Sequence, residues 1–232
     1  MVKQAIVPAI IPVSYAYLED RLREVRGAVR SVQVDVMDGT YAPTSSWPYI
    51  GVEKEAFESL RREDQGLPYW QEFDFEVDLL VRNPEAHINE WALAGITRVI
   101  VHVESTDKLA EAVALCQERR LEVALALKPS TDIAMLAPYV DEAVFVQCMG
   151  NDRIGYQGVS LDSSVPDKIR EIKTRWPDLL VAVDIGVSKE TIPALYTAGA
   201  RRFVAGSAVF GTGEPKYAIE KLHAIVAECA RG

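Results

Sequence analysis

The sequence predicts a single (β/α)8 barrel, and three observations support this fold class. Short runs rich in valine, isoleucine and alanine alternate with amphipathic segments of helical length along the whole chain of 232 residues. Eight such strand segments follow one another. No GxGxxG motif follows the first of them, although one would be typical of a doubly wound dinucleotide-binding sheet. We therefore expect residues 1–232 to form one barrel domain without a linker.

Each predicted strand is a short apolar run whose residues favour extended structure. The strands are predicted at residues 5–11, 31–37, 73–80, 98–103, 121–127, 142–147, 179–184 and 202–206. Parallel neighbours require a crossover connection, so a helix is expected between successive strands. Helices are predicted at residues 16–30, 84–94, 107–119, 132–137, 164–175, 188–198 and 214–229. Boundary signals support three of these helices, namely Asn83-Pro84, Ser188 ahead of a glutamate, and Glu214-Pro215.

The segment 38–52 is a long connection that contains Tyr41, Trp47 and Tyr49. Long ordered loops often carry function, so this segment is a candidate lid or subunit contact. The alternative is a surface loop held in place by its own aromatic side chains. We expect the protein to form a homo-oligomer.

Composition excludes several classes of function. A net charge of −9 without a lysine or arginine cluster argues against a nucleic-acid partner. The three cysteines are scattered and odd in number, so neither a disulfide framework nor a cysteine zinc site is expected. No apolar stretch approaches 18 residues, and the N-terminal apolar run is broken by Pro8 and Pro12. We expect a cytoplasmic protein without a membrane segment.

In a barrel of this kind the chemistry lies at the C-terminal ends of the strands. The residues at those ends are Ala9, Gln33, Asp35, Asp78, His102, Lys128, Gln147, Asp184 and Ser207. Three of them are aspartates between apolar residues, and neighbouring buried carboxylates need a cation, a shared proton or a ligand. Oxygen ligation with help from Gln33 would suit Mg²⁺ or Mn²⁺ better than Zn²⁺. The alternative is that the three aspartates do not meet.

Six motifs, in this order and spacing, resemble those of the ribulose-phosphate 3-epimerase family. They are VQVDVMDG (32–39), FEVDLLVRNPE (75–85), VHVES (101–105), LALKPST (125–131), VAVDIGV (181–187) and FVAGSAVFG (203–211). Together they extend over nearly the whole chain. The resemblance implies a (β/α)8 barrel that binds a small ketose phosphate and epimerises the carbon next to its carbonyl group. Inversion of such a carbon needs a base, an acid on the opposite face and an electrophile for the enediolate charge.

The resemblance assigns the proton-transfer pair to Asp35 and Asp184 and implies a divalent metal held by two aspartates and two histidines. The two histidine positions are occupied here by Gln33 and Asp78. The expected ligand set is therefore Gln33, Asp35, Asp78 and Asp184, which favours magnesium or manganese over zinc. Met37 matches a family methionine that can cover the enediolate region, although ordinary packing is an alternative.

The histidines of this chain lie elsewhere. His87 and His223 are predicted on solvated helix surfaces, whereas His102 matches a family residue of the fourth strand and is either a pocket residue or a structural one. The first-strand motif has also changed, since Ala9 and Pro12 stand where the family has serines.

Glycines near three strand ends predict the phosphate site, because the main chain can approach a phosphate closely there. The expected residues are Gly155, Gly186, Gly206 and Ser207, with Arg153 as either a phosphate ligand or a solvated loop residue. The family has two glycines after the strand-7 aspartate, and this chain has Ile185 at the first of them.

Other activities remain open from the sequence. Related decarboxylases and aldolase-type synthases need a central lysine, typically in an Asp-x-Lys pattern on the third strand, which reads EVDLLV here. Lys128 is the one strand-end lysine in the sequence, so a Schiff-base mechanism is not expected. The remaining alternatives are an isomerase of another phosphosugar and a catalytically inactive phosphosugar-binding barrel.

Overall fold

A computed structural model describes residues 5–231, and within that range eight strands form a closed parallel barrel. Each strand pairs with the next, and the last pairs with the first. The strands are β1 Ile6–Ile10, β2 Ser31–Met37, β3 Asp74–Leu80, β4 Arg98–His102, β5 Glu122–Leu127, β6 Ala143–Met149, β7 Val181–Asp184 and β8 Arg202–Ala205. The predicted (β/α)8 fold class is therefore confirmed.

The helices surround the barrel. They are α1 Tyr15–Val25, α2 Lys54–Arg61, α3 Ile88–Leu93, α4 Leu109–Glu118, α5 Val165–Arg175, α6 Ile192–Ala198, α7 Ser207–Phe210 and α8 Pro215–Cys229. Neither α2 nor α7 was predicted. Two predictions need correction, because residues 132–137 form only a 3-10 turn, Ile133–Leu136, and the helix predicted at 84–94 begins with a separate 3-10 turn, Pro84–Ala86. None of the helices in the described range is long and apolar enough to cross a membrane.

Inside the barrel, near the N-terminal ends of the strands, lies an ionic cluster that was not predicted from the sequence. Glu76 is fully buried, and its carboxylate accepts hydrogen bonds from Arg98 Nη1 at 2.7 Å and from Arg202 at 2.9 and 2.6 Å. Both guanidinium groups also lie over the Phe145 ring, at 5.5 and 4.6 Å from its centroid. Removal of one partner from such a buried cluster is strongly destabilising, so this layer fixes β3, β4 and β8 to one another.

The connection at 38–52 is held in place by its own aromatic residues. Trp47 is fully buried and packs against Tyr15, Phe57 and Trp91, with ring centroids 5.5, 5.6 and 6.4 Å away. Near its start, Tyr41 turns toward the barrel mouth and contacts His102. The C-terminal half of this segment is therefore a loop held in place by its own aromatic side chains, which was the alternative given above. A role as a lid or subunit contact stays a prediction.

Candidate active site

The structure brings the three strand-end aspartates together at the barrel mouth. Asp35 on β2, Asp78 on β3 and Asp184 on β7 are all buried, and each offers a carboxylate oxygen within 4.8 Å of the others. β2 and β3 pair in register so that Asp35 lies directly beside Asp78. The alternative that these residues do not meet is thereby excluded.

The amide of Gln33 bridges two of the carboxylates. Its Nε2 donates to Asp35 Oδ1 at 2.8 Å and lies 3.4 Å from Asp184 Oδ2. Gln33 is fully buried, and its Oε1 has no hydrogen-bond partner within residues 5–231. The Gln33 amide therefore donates hydrogen bonds to the carboxylates through Nε2. Its Oε1 is left unsatisfied and could serve as a ligand to a cation.

Asp78 is held from its other side by two buried polar residues. His102 Nε2 lies 2.9 Å from Asp78 Oδ1, and Gln147 Nε2 donates to Asp78 Oδ2 at 3.1 Å. All three side chains are fully buried. His102 is thus a partner of the acidic cluster rather than a residue that lines the open pocket.

Burial and mutual repulsion shift the acid–base properties of this cluster. Burial, followed by the charges of Asp184 and Asp78, raises the pKa of Asp35 well above its ordinary value. Burial and the charge of Asp78 raise the pKa of Asp184 to about 7, although hydrogen bonds from Ile185 N–H and Gln33 oppose the shift. For His102, burial acts to lower the pKa, but the carboxylate of Asp78 outweighs it and the pKa is raised.

The donor set fits a divalent cation. Three carboxylate oxygens lie close enough to share one ion, and a half-turn of the Gln33 amide would add its unsatisfied oxygen. The nearest imidazole, His102, already has its Nε2 on Asp78. The cluster could therefore hold a metal ion through oxygen ligands, which hard cations prefer.

Tyr41 and Glu104 extend the hydrogen bonding on the Nδ1 side of His102. Tyr41 donates its hydroxyl proton to Glu104 Oε2 at 2.9 Å, and the same hydroxyl oxygen lies 3.4 Å from His102 Nδ1. Glu104 also accepts a hydrogen bond from Lys128 N–H at 2.8 Å and one from the Thr131 hydroxyl. Glu104 was not among the predicted site residues, although its place in VHVES, two residues after His102, was a usable signal.

An open pocket lies beside the acidic cluster, and Asp35 and Asp184 form part of its wall. Most of the predicted phosphate residues line it as well, and these are Gly155, Gly186, Gly206 and Ser207. Gly206 immediately follows β8 and precedes α7. Gln157 also lines the pocket, with its amide beside Gly206 and its Nε2 3.5 Å from the Ala9 carbonyl.

Three of these backbone positions are sterically demanding. Gly186 has φ +72°, and a Cβ there would lie 2.5 Å from the Leu161 backbone nitrogen. Gly155 has φ +85°, and a Cβ there would meet the Thr44 hydroxyl at 2.7 Å. Ile185, which directly precedes Gly186, has φ +76°, a conformation rarely adopted by a β-branched residue. Ile185 lines the pocket, and its N–H donates to Asp184 Oδ1 at 2.8 Å.

Some candidate residues lie away from the pocket. Met37 is fully buried, and its sulfur accepts a hydrogen bond from Thr44 at 3.2 Å. Arg153 is exposed and stacks over Tyr156, 5.7 Å from its ring centroid. Neither residue lines the pocket surface described above.

The two remaining histidines are also remote from the acidic cluster. His87 is half-buried between the 3-10 turn and α3, with its Nδ1 2.9 Å from the Tyr49 hydroxyl. His223 is half-buried on α8, where burial lowers its pKa.

The barrel resembles several solved structures of phosphosugar enzymes. It superimposes on a 3-keto-L-gulonate-6-phosphate decarboxylase from Vibrio cholerae with a TM-score of 0.71 at 14% identity, covering 98% of this chain and 99% of that one. A 3-hexulose-6-phosphate synthase gives a TM-score of 0.68 at 21% identity, covering 96% and 99%. At these identities the likeness shows the fold alone.

Sequence comparison identifies the family. The chain is 30% identical over 223 residues to the ribulose-phosphate 3-epimerase of Bacillus subtilis, covering 94% of this chain and 97% of that protein. It is 27% identical to the enzyme of the same name from Escherichia coli, with 98% of both chains covered. The model of the ribulose-phosphate 3 epimerase family matches residues 5–210. This protein therefore belongs to the ribulose-phosphate 3 epimerase family.

Proposed function

We propose that this protein is an isomerase that interconverts the 3-epimers of a small ketose phosphate, such as D-ribulose 5-phosphate and D-xylulose 5-phosphate. The observation that carries the proposal is the placement of Asp35 and Asp184. They come from well-separated strands, open into one pocket, and have pKa values raised by burial and by their neighbours. Two carboxyl groups on opposite sides of a bound sugar suit proton removal and return on opposite faces.

The shifted pKa values match this role. A general acid or base works best when its pKa lies near the operating pH, and the pKa of Asp184 is raised to about 7. Asp35 is shifted in the same direction, chiefly by burial. One of the two can therefore carry a proton while the other is ionised, as a two-base epimerisation requires.

We assign the metal ligands to Asp35, Asp78, Asp184 and, after rotation of its amide, Gln33. A divalent cation bound there would supply positive charge to stabilise the enediolate oxygens. The oxygen-only donor set and the engagement of His102 by Asp78 favour Mg²⁺ or Mn²⁺ over Zn²⁺.

The phosphate would bind at the opposite end of the pocket, against Gly186, Gly206 and Ser207. Glycine leaves the main-chain N–H groups there accessible, and the short α7 begins at this point. Arg153 is exposed on the adjacent loop, so it could reach a phosphate only after its side chain leaves Tyr156. Met37 would cover the enediolate region only indirectly, because it packs under Gly155. A Cβ added at Gly155 would lie 3.1 Å from the methionine sulfur.

The proposal is tested by exchange of the C3 proton of D-ribulose 5-phosphate in D₂O, followed by NMR with Mg²⁺, Mn²⁺ or Zn²⁺ supplied in turn. Wild-type protein should exchange this proton and form the 3-epimer. Asp35→Asn and Asp184→Asn should each slow exchange by about 10²-fold or more, the contribution of a positioned acid or base. Binding of inorganic phosphate should persist in both variants.

Asp38→Asn is the matched control, because Asp38 lies three residues beyond Asp35 and its carboxylate bonds the Thr40 hydroxyl in the loop. It should exchange at the wild-type rate. Absence of exchange by wild-type protein with every metal would refute the two-base epimerase assignment, and so would exchange at the wild-type rate in Asp35→Asn or Asp184→Asn.

A further inference from the structure

A series of hydrogen bonds connects Tyr41, in the loop that follows β2, to the acidic cluster. It runs from Glu104 to the Tyr41 hydroxyl at 2.9 Å, from that hydroxyl to His102 Nδ1 at 3.4 Å, and from His102 Nε2 to Asp78 at 2.9 Å. His102 and Asp78 are fully buried, and Tyr41 is largely so. The loop that follows β2 thereby reaches a side chain of β3 through a side chain of β4.

The donors and acceptors in this series have a fixed direction. Glu104 as a carboxylate can only accept, so the single hydroxyl proton of Tyr41 points to it. The hydroxyl oxygen then offers only lone pairs to His102 Nδ1. Asp78 as a carboxylate also accepts, at Nε2, so both ring nitrogens donate and the imidazole carries two protons. The orientation of the imidazole, and with it that of the Asp78 carboxylate, is therefore set from the Tyr41 side.

Tyr41 is itself held firmly in this position. Its ring packs against the His102 ring with centroids 5.3 Å apart. The ammonium group of Lys128 lies 4.5 Å and the guanidinium of Arg82 5.5 Å from its ring centroid. Burial and the nearby charge of Glu104 raise the pKa of Tyr41, so its hydroxyl remains a neutral donor.

We infer that Tyr41 is a positioning residue for the proposed reaction, acting through His102 to hold Asp78 in place beside Asp35 and Asp184. Tyr41 is not among the residues that line the pocket. Its contribution is geometric. Without the hydroxyl, the imidazole keeps its packing but loses the partner that fixes its Nδ1 side.

The test compares Tyr41→Phe with Tyr49→Phe, because residues 5–231 include two similar tyrosine–histidine pairs. Tyr49 lies 2.9 Å from His87 Nδ1, and their rings are also 5.3 Å apart, but this pair is outside the pocket. Both substitutions remove one hydroxyl beside one imidazole. The chain has three histidines, so their side-chain ¹⁵N and ¹H resonances can be assigned individually.

We expect Tyr41→Phe to shift the His102 imidazole resonances and leave those of His87 and His223 in place, whereas Tyr49→Phe should shift only those of His87. This inference rests on the proposed function only for its kinetic part. With D-ribulose 5-phosphate, Tyr41→Phe should lower kcat about tenfold, the effect of one hydrogen bond to a charged group, with KM unchanged. Tyr49→Phe should change neither constant.

Unshifted His102 resonances in Tyr41→Phe would overturn the inference even if the protein is an active epimerase. Equal loss of kcat in both variants would also overturn it, since that result would indicate a general packing effect. If wild-type protein has no activity on the sugar phosphate, the proposed function fails, but the NMR comparison still decides whether Tyr41 positions His102.

Discussion

Nε2 of Gln33 lies 2.8 Å from Oδ1 of Asp35, and both side chains are buried at the centre of the barrel mouth. The amide stands at a position for which the family resemblance implies a histidine. In the structure described here it stabilises negative charge by donating hydrogen bonds. A glutamine can also turn and offer its oxygen, so the same residue can serve the cluster with or without a cation.

Replacement of Gln33 should therefore destabilise the protein. Gln33→Leu keeps a similar volume but removes the donor shared by Asp35 and Asp184. We expect the free energy of unfolding at pH 8.5 to fall by about 3 kcal/mol, since hydrogen bonds to charged groups contribute about 1.5–3 kcal/mol each. Chemical denaturation measures this value. Gln65→Leu, at an exposed glutamine, should change it by less than about 0.5 kcal/mol, and equal effects would contradict the expectation.

Stability should also depend on pH through Asp184. Its pKa is about 7 in the folded protein, above the ordinary value of 3.8, so the folded state binds the proton more tightly than the unfolded state. Stability is then greatest below the unfolded pKa and falls as pH rises toward 7, by up to about 1.4 kcal/mol per pH unit. Urea titrations in the presence of a chelator should show this slope between pH 4.5 and 7. A profile that is equally steep in Asp184→Asn would contradict the assignment.

Metal selectivity should follow the oxygen donors. Isothermal titration should show Mn²⁺ binding that is weakened by Asp78→Asn, because one of three clustered carboxylates loses its charge. Gln33→His should raise the affinity for Zn²⁺ relative to Mn²⁺, because imidazole suits zinc better than an amide does. Asp38→Asn again provides the control. Unchanged Mn²⁺ affinity in Asp78→Asn would exclude Asp78 from the ligand set.

Gly186 and Gly158 offer a matched pair of substitutions by alanine. Both have positive φ, +72° and +74°, but a Cβ at Gly186 would lie 2.5 Å from backbone whereas one at Gly158 would meet nothing within 4 Å. Gly158→Ala should lower the free energy of unfolding by about 1–2 kcal/mol, the cost of the left-handed conformation. Gly186→Ala should cost at least about 3 kcal/mol because the clash is added. Thermal denaturation measures the loss of stability in both variants. An equal loss would contradict the expectation and show that the Leu161 backbone shifts to accommodate the added Cβ.

Two of the three cysteines should be unreactive in the folded protein. Burial raises the pKa values of Cys116 and Cys148 to about 12, so at pH 8 only about one thiol in 10⁴ is ionised at either site. Cys229 is partly exposed on α8. Ellman's reagent should therefore titrate one thiol per native chain and three after denaturation, and a Cys229→Ser variant should titrate none before denaturation.

The sequence predicted the strands and the acidic cluster because both depend on local pattern. Single aspartates within apolar runs, as at Asp35 and Asp184, stand out in the sequence, and parallel strands bring such residues to one end of the barrel. The contact between Tyr41 and Glu104 could not be predicted in this way, because it depends on the path of a long loop. The positive φ of Ile185 was equally hidden, since local preference argues against it.

β3 places two acidic side chains, Glu76 and Asp78, inside the barrel with one residue between them. Glu76 faces the lower layer, where two arginines neutralise it, and Asp78 faces the mouth, where a histidine and an amide hold it. The neighbours of each carboxylate therefore decide its role. Glu76, paired with arginines, stabilises the barrel, whereas Asp78 belongs to the proposed reactive cluster. Substitutions around Asp78 can therefore alter the chemistry of the site while the ion pairs of Glu76 continue to hold the barrel together.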